Sequence, residues 1–133
     1  MLDQCYANPV LPAQDGVRAK AFYRDVLGLP QRPSPIEDPM VFDAGGGTSI
    51  CVTEIPDRSP AGYPVVSFTV TGIEDLVAGL TARGVTFLEP GRSSFQGQEG
   101  AVAGVITDYG PVKSAFLADS EGNILALNEV VGF

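Results

Sequence analysis

The amino-acid sequence predicts an α+β fold built from two copies of a βαβββ unit. Two glycine turns, at Gly47 and Gly122, each lead into an apolar segment that ends in a glutamate and a β-branched residue. Before each turn lies a stretch with apolar residues at helical spacing, and each stretch is followed by a glycine, Gly28 or Gly84. Because a sequence that repeats its supersecondary unit is usually built from copies of that unit, we expect two similar modules.

The first module begins with a strand predicted at residues 6–12 and a helix predicted at residues 16–27. Asp15 is the expected N-cap, since its carboxylate can accept hydrogen bonds from the open amides of the first turn, and Gly28 is the expected stop. Three strands are predicted after the helix, at residues 31–34, 40–44 and 49–54. The apolar stripe of the helix consists of Ala19, Phe22, Tyr23, Val26 and Leu27.

The second module repeats this order. A strand is predicted at residues 65–70, where β-branched and aromatic residues alternate with polar ones. Thr71 and Glu74 have the spacing of a capping box for a helix at residues 73–83, which Gly84 ends. The apolar stripe of this helix consists of Ile73, Leu76, Val77 and Leu80. Strands are predicted at residues 85–88, 112–118 and 124–130.

The 133 residues suffice for a single domain. Within it we place the first module at about residues 5–55 and the second at about residues 64–131. The segment 56–63, which contains two prolines and a glycine, is the predicted linker.

The second module is longer than the first between its helix and its last strand, and we assign the extra residues to an insert at residues 91–110. Its glycines and polar residues predict a loop, with a short strand at residues 101–107. One hypothesis is a lid or wall of a ligand cavity that uses Phe95 and Tyr109, because aromatic side chains can cover an apolar ligand. The other is a plain surface loop.

Composition excludes several classes of function. Sixteen acidic residues against eight basic ones give a net charge of −8, which disfavours nucleic acid. We interpret this charge first as a contribution to solubility, and as the alternative it would suit a cationic ligand. Neither a signal peptide nor a membrane span is visible in the sequence. Two cysteines, Cys5 and Cys51, are too few for a disulfide framework or a zinc cluster, so we expect two buried free thiols and a cytoplasmic location.

Two segments of the chain resemble the signature segments of a known superfamily. Residues 22–29, Phe-Tyr-Arg-Asp-Val-Leu-Gly-Leu, and residues 119–123, Asp-Ser-Glu-Gly-Asn, are similar to those of the vicinal oxygen chelate superfamily. That group includes glyoxalase I, extradiol dioxygenases, and the bleomycin and fosfomycin resistance proteins. The resemblance implies that the paired modules form a curved mixed sheet around a concave site.

The same resemblance implies where a divalent metal would bind. The superfamily's enzymes hold the metal through His, Gln or Glu on the first and last strands of the modules. The matching positions here are Asn8, Cys51, Val65 and Ala126. Val65 and Ala126 have no donor atom in the side chain, and a catalytic site generally needs about three protein ligands. We therefore predict no metal and no other cofactor.

Strand alternation predicts which side chains line the expected cavity. They are mostly small, apolar or neutral hydrogen-bonding groups, as in many small-molecule sites. A packed core is the alternative, although each polar side chain would then need a buried partner. The predicted ligand-binding residues are Asn8, Val10, Ser49, Cys51, Thr53, Val65, Ser67, Thr69, Ile124, Ala126 and Asn128, with Phe95 and Tyr109 from the insert.

The sequence offers little support for other catalytic or phosphate-binding motifs. The chain has no histidine, which excludes Ser-His-Asp and Cys-His catalysis. Residues 45–48, Gly-Gly-Gly-Thr, join two predicted strands and indicate a hairpin turn rather than a phosphate cradle. Asp43, Asp108 and Tyr109 are the candidates for acid–base chemistry, although each is also an ordinary turn or surface residue.

The sequence therefore favours a metal-independent binding protein, similar to the bleomycin-resistance type, for a small apolar or amphipathic ligand. The alternative is a lyase, isomerase or dioxygenase of the same superfamily, and a third hypothesis is a structural partner without a ligand. We expect a homodimer that binds neither nucleic acid nor membrane.

Overall fold

A computed structural model describes residues 1–90 and 100–131. The chain divides between Ser59 and Pro60 into two compact units, each with its own mixed sheet. The predicted α+β fold class is confirmed. Among the described residues, no helix has both the length and the apolar character needed to cross a membrane.

The sheet of the first unit has three strands in the order β1-β3-β2. β1 runs parallel to β3, and β2 runs antiparallel to it. The helix begins as α-helix and continues as a π-helical segment. The bounds are β1 Val10–Ala13, α1 Gly16–Lys20, the π-helical segment Ala21–Val26, β2 Met40–Asp43 and β3 Ser49–Glu54.

Two predictions for the first unit need correction. The strand expected at residues 6–12 begins only at Val10, so Cys5, which we expected to be buried, lies before it and is exposed. The strand expected at residues 31–34 is reduced to a single bridge between Gln31 and Phe42. Pro33 and Pro35 follow this bridge, and because proline has no amide hydrogen the ladder cannot continue.

The sheet of the second unit has six strands, β4 to β9. Five of them follow the order β4-β9-β8-β7-β6, and the sixth, β5, pairs with β8. β4 is parallel to β9, and the other pairs are antiparallel. The predicted strand at residues 101–107 is instead a hairpin that turns at Gly104, where φ is 64°. The bounds are β4 Pro64–Thr69, α2 Ile73–Ala82, β5 Thr86–Phe87, β6 Ala101–Ala103, β7 Ile106–Asp108, β8 Val112–Ala118 and β9 Ile124–Val130.

The helix N-termini are capped by two different means. Asp15 accepts from the Arg18 amide at 3.1 Å, as predicted. The predicted capping box of α2 is wrong, because Gly72 is its N-cap, at φ 66°, and no side chain of the local sequence caps it. The Glu129 carboxylate caps it instead, accepting from the Gly72 amide at 2.7 Å.

Each unit buries one face of its sheet against its helix. In the first unit the fully buried Tyr23 ring lies 5.5 Å from the Phe22 ring and 5.6 Å from the Phe42 ring, measured between centroids. In the second unit the corresponding buried side chains are Ile73, Leu80, Ala115, Leu117, Leu125 and Leu127. The opposite face of each sheet carries more polar side chains, with Ser49 and Thr53 in the first unit and Ser67, Ser114 and Asn128 in the second.

Candidate functional site

The second unit places several predicted site residues on one face of its sheet. Ser67 is paired with Ala126, and Asn128 is paired with Thr69 on one side and with Ser114 on the other. Directly paired residues point to the same face of a sheet, so these five side chains share a surface. We call this surface the polar face of the second unit.

A row of three hydrogen-bonded side chains crosses the polar face. The Ser114 hydroxyl donates to Asn128 Oδ1 at 2.6 Å, and Asn128 Nδ2 donates to Ser67 Oγ at 2.6 Å. Ser114 is completely buried, whereas Ser67 is exposed. The row therefore connects the interior of the sheet to its surface.

Beside the row lies an apolar floor. Ala126 is paired with Phe116, and both are buried. Thr107 continues the face beyond Ser114, and Thr69 is exposed next to Asn128. A neutral hydrogen-bonding row next to small and aromatic apolar groups is a common composition for a site that binds organic molecules.

Ser114 was not among the residues predicted from the sequence. It lies in the middle of β8, where its buried neighbours are Ala115 and Phe116. A single hydroxyl inside an apolar strand is a signal that could have identified it, because buried polar groups usually have a hydrogen-bond partner. Its partner Asn128 was predicted from strand alternation.

Val65 and Ile124 lie at the edge of this arrangement. The register of β4 against β9 shifts between Pro64 and Val66, so Val65 has no direct partner in the ladder. Ile124 is paired with Pro64. The bulge places Val65 outside the regular alternation that Ser67 and Thr69 follow.

The first unit groups the predicted residues of its own sheet in a similar way. Val10 and Cys51 are paired, and by strand alternation Ser49 and Thr53 lie on the same face as Cys51. Asn8 lies before β1, and its Oδ1 accepts from the Ser49 hydroxyl at 2.9 Å.

Two side chains of this group, Thr53 and Val10, differ from the others in their contacts or exposure. The Thr53 hydroxyl donates to Asp38 Oδ2 at 3.1 Å, a contact that the sequence did not predict. Val10, at the start of the edge strand β1, is 62% exposed.

The two carboxylates considered for acid–base chemistry are both engaged. Asp43 forms an ion pair with Arg32, and Asp108 Oδ1 accepts from the Gly110 amide at 2.8 Å within the β7–β8 turn. The Tyr109 amide donates to the Val112 carbonyl at 2.9 Å in the same turn. These contacts are those of ordinary turn and surface residues. Phe95 lies outside the described residues.

An ion pair lies on the face of β8 opposite to Ser114. Lys113 Nζ donates to Glu74 Oε1 at 2.8 Å. This hydrogen bond lowers the pKa of Glu74 and raises the pKa of Lys113 from their ordinary values. Because adjacent residues of a strand point to opposite faces, this pair leaves the polar face neutral.

The donor set does not fit the divalent metal of the superfamily. Val65 and Ala126 have no ligating atom, and the amide oxygen of Asn8 is already an acceptor for Ser49. Across residues 1–90 and 100–131, no group of three or more His, Cys, Asp or Glu side chains is arranged to hold a metal ion.

The first unit also contains an open cleft of about 650 Å³ between α1 and the loop that precedes β2. Its walls carry charges of both signs, including Lys20, Glu37 and Glu54. This cleft was not predicted from the sequence. Glu54 serves the fold, since its Oε2 accepts from the Gly16 amide at 2.8 Å.

Comparison with known proteins identifies the class of fold. No model of a protein family matches the chain, and no curated protein matches its sequence. Solved structures do match it. A glyoxalase family protein from Bacillus anthracis has a TM-score of 0.71 and 19% identity over 96% of each chain.

Two other solved structures have different functions. An antibiotic binding protein from a Streptomyces species has a TM-score of 0.66 and 18% identity, over 96% of this chain and 99% of that one. A lactoylglutathione lyase from Agrobacterium tumefaciens has a TM-score of 0.67 and 17% identity, over 95% of this chain and 93% of that one.

The protein thus has the fold of the glyoxalase and bleomycin-resistance proteins, as the resemblance of its two signature segments implied. Structures with this fold include both binding proteins and enzymes. Because one fold carries many functions, the choice between them depends on the side chains of the site.

Proposed function

We propose that the protein binds a small apolar or amphipathic organic molecule on the polar face of the second unit, without a metal ion. The observation that carries this proposal is the neutral row Ser67–Asn128–Ser114 beside the floor formed by Ala126 and Phe116. The floor supplies apolar contact, and the row supplies a small number of oriented polar groups.

In this proposal binding is itself the function, and the Streptomyces structure with this fold is that of an antibiotic binding protein. An antibiotic is one class of ligand that would fit, and the net charge of −8 favours a cationic or neutral molecule over an anion. We also propose a cytoplasmic location, where the free thiols of Cys5 and Cys51 would stay reduced.

A thermal-shift screen of a small-molecule library, followed by calorimetry on the hits, tests the proposal. A ligand that binds only the folded protein raises the Tm by mass action. Thr69→Trp, which places a large ring on the polar face, should weaken binding by about tenfold or more, since it occupies the space of the ligand. Thr81→Trp, an exposed position on α2, is the matched control and should bind normally.

The alternative function is a lyase, isomerase or dioxygenase, which the similarity to the lactoylglutathione lyase fold favours. The same hits separate the two functions. A binding protein returns each ligand unchanged after long incubation, and added Mg²⁺, Mn²⁺, Fe²⁺, Ni²⁺ or Zn²⁺ leaves affinity unaltered. Turnover of a hit, or a stoichiometric metal that strengthens its binding, would contradict the proposed function.

A further inference from the structure

We propose that the ligand is held through a carbonyl-type oxygen that accepts a hydrogen bond from the Ser67 hydroxyl. This inference rests on the proposed function and adds the chemical class of the ligand. It depends on the direction in which the hydrogen bonds of the row run, from the buried Ser114 to the exposed Ser67.

The direction is set at the buried end. The Ser114 hydroxyl has one proton, and among the described residues Asn128 is its only side-chain partner, at 2.6 Å. If the amide were reversed, Asn128 would donate to Ser114 and the Ser114 proton would have no acceptor in a fully buried position. A buried donor without an acceptor is costly, so Ser114 donates and the amide oxygen faces it.

The orientation of Asn128 then determines the state of Ser67. With its oxygen directed at Ser114, Asn128 presents its nitrogen to Ser67 Oγ, at 2.6 Å. Ser67 accepts this bond, and its own proton cannot be given back to an amide nitrogen. Within residues 1–90 and 100–131 the Ser67 hydroxyl donates to no acceptor, and the residue is exposed.

The row therefore ends in a hydrogen-bond donor. Successive bonds in such a chain polarise one another, which strengthens the donor at its end. An acceptor oxygen on the ligand completes the chain. A ligand group that can only donate would use the second lone pair of Ser67 Oγ and would leave the Ser67 proton without an acceptor once the ligand covers it, which is costly. The side chains paired across this face, which include Thr69, Thr107 and Phe116, carry no charge that would favour an ionised group.

The chemical class follows from the row and its surroundings together. The apolar floor of Ala126 and Phe116 suits an aromatic or alicyclic frame. The net charge of −8 opposes a carboxylate or phosphate acceptor. A neutral ketone, lactone or amide oxygen on an apolar ring system satisfies all three conditions.

Calorimetry with 9-fluorenone and fluorene provides the test, because the two molecules have the same ring frame and differ by one carbonyl oxygen. The unsubstituted protein should bind fluorenone more tightly than fluorene by about three- to tenfold, the usual net effect of one hydrogen bond. The carbonyl stretching frequency of bound fluorenone should also fall relative to its value in an apolar solvent. Equal binding of the two probes without a frequency shift would overturn the inference but leave the proposed function intact.

Two substitutions test the direction of the row. Ser67→Ala removes the terminal donor and should equalise the two affinities, while Ser34→Ala, an exposed serine of the first unit, should preserve the difference. Asn128→Asp replaces the donor with a second acceptor, so that Ser67 turns its proton inward and the preference for fluorenone is lost. Circular dichroism and the Tm without ligand check that each variant folds.

The outcomes separate the two proposals. A fluorenone preference that survives in both Ser67→Ala and Asn128→Asp would overturn the inference. If neither fluorenone nor fluorene binds to the unsubstituted protein, the inference fails, whereas the proposed function fails only if the library screen also yields no ligand.

Discussion

Glu54 and Glu129 each accept a hydrogen bond from the backbone at the start of a helix. Glu54 Oε2 lies 2.8 Å from the Gly16 amide nitrogen, and Glu129 Oε2 lies 2.7 Å from that of Gly72. Glu54 is the last residue of β3, and Glu129 is the next-to-last residue of β9, which are the final strands of the two units. The repeated glutamate in the sequence thus has a physical role, because the first amides of a helix lack partners within the helix and attract negative charge.

Removal of the Glu129 carboxylate should destabilise the protein. Glu129→Ala leaves the Gly72 amide without its side-chain acceptor, and Ile73, whose amide lies 3.4 Å from Glu129 Oε1, loses a weaker contact. We expect the free energy of unfolding in urea to fall by about 1 kcal/mol, the typical value of a helix cap.

Glu74→Ala is the control for this measurement. It removes a carboxylate from the first turn of the same helix, but one that lies in an exposed ion pair with Lys113. Exposed pairs contribute little, so the change should be smaller than for Glu129→Ala. An equal loss in the two variants would contradict the capping role of Glu129.

At the level of elements, the two helices differ in how they are built. The first helix changes from α-helix to π-helix at Ala21, and its π-helical segment carries the buried Phe22 and Tyr23. The second is α-helical throughout and contains a glycine, Gly79, in its exposed surface. A glycine inside a helix is unfavourable because it loses more backbone freedom on folding than alanine does.

Gly79→Ala should therefore stabilise the protein. A Cβ at this position meets no heavy atom within 4 Å among the described residues, so the gain of about 0.5–1 kcal/mol in unfolding free energy is not offset by a clash. Urea unfolding measures the change.

Gly84→Ala is the matched contrast. It also meets no atom within 4 Å, but its φ of 89° lies in the region that side-chain-bearing residues avoid. This variant should lose stability. If both glycine substitutions shifted stability in the same direction, the backbone argument would be wrong.

At the level of the whole molecule, we expect a homodimer. In the first unit β1 and β2 are both edge strands, and apolar side chains are exposed at and before β1, with Val10 at 62% and Tyr6 at 86%. Unpaired strand edges and apolar surface favour association, and a second copy of the chain is the commonest partner.

Sedimentation velocity at micromolar concentration should show a dimer. Val10→Asp places a charge at the start of β1 and should shift the protein toward the monomer, because a charge is costly to bury in an interface. Val17→Asp, at an exposed position on α1, is the control and should leave the dimer intact. A stable monomer of the unsubstituted protein would remove the prediction.

The sequence by itself determined the elements that depend on neighbours along the chain. Three strands were predicted with the bounds that the structure has, at residues 49–54, 112–118 and 124–130. The Asp15 cap and the glycine stops were also predicted correctly. Alternation in β4 and β9 also identified Ser67 and Asn128 as residues of one face. Such features follow from local periodicity and turn chemistry, which are visible in a single sequence.

Only the tertiary structure decided the features that join distant residues. The cap of α2 comes from Glu129 rather than from the local Thr71 and Glu74, and the direction of the polar row depends on Ser114, which lies on a different strand from Asn128. The hairpin at residues 101–108 and the bulge at Val65 likewise depend on strand pairing. A hydrogen bond between residues far apart in the chain leaves no periodic trace in the sequence, because its geometry exists only once the sheet has formed.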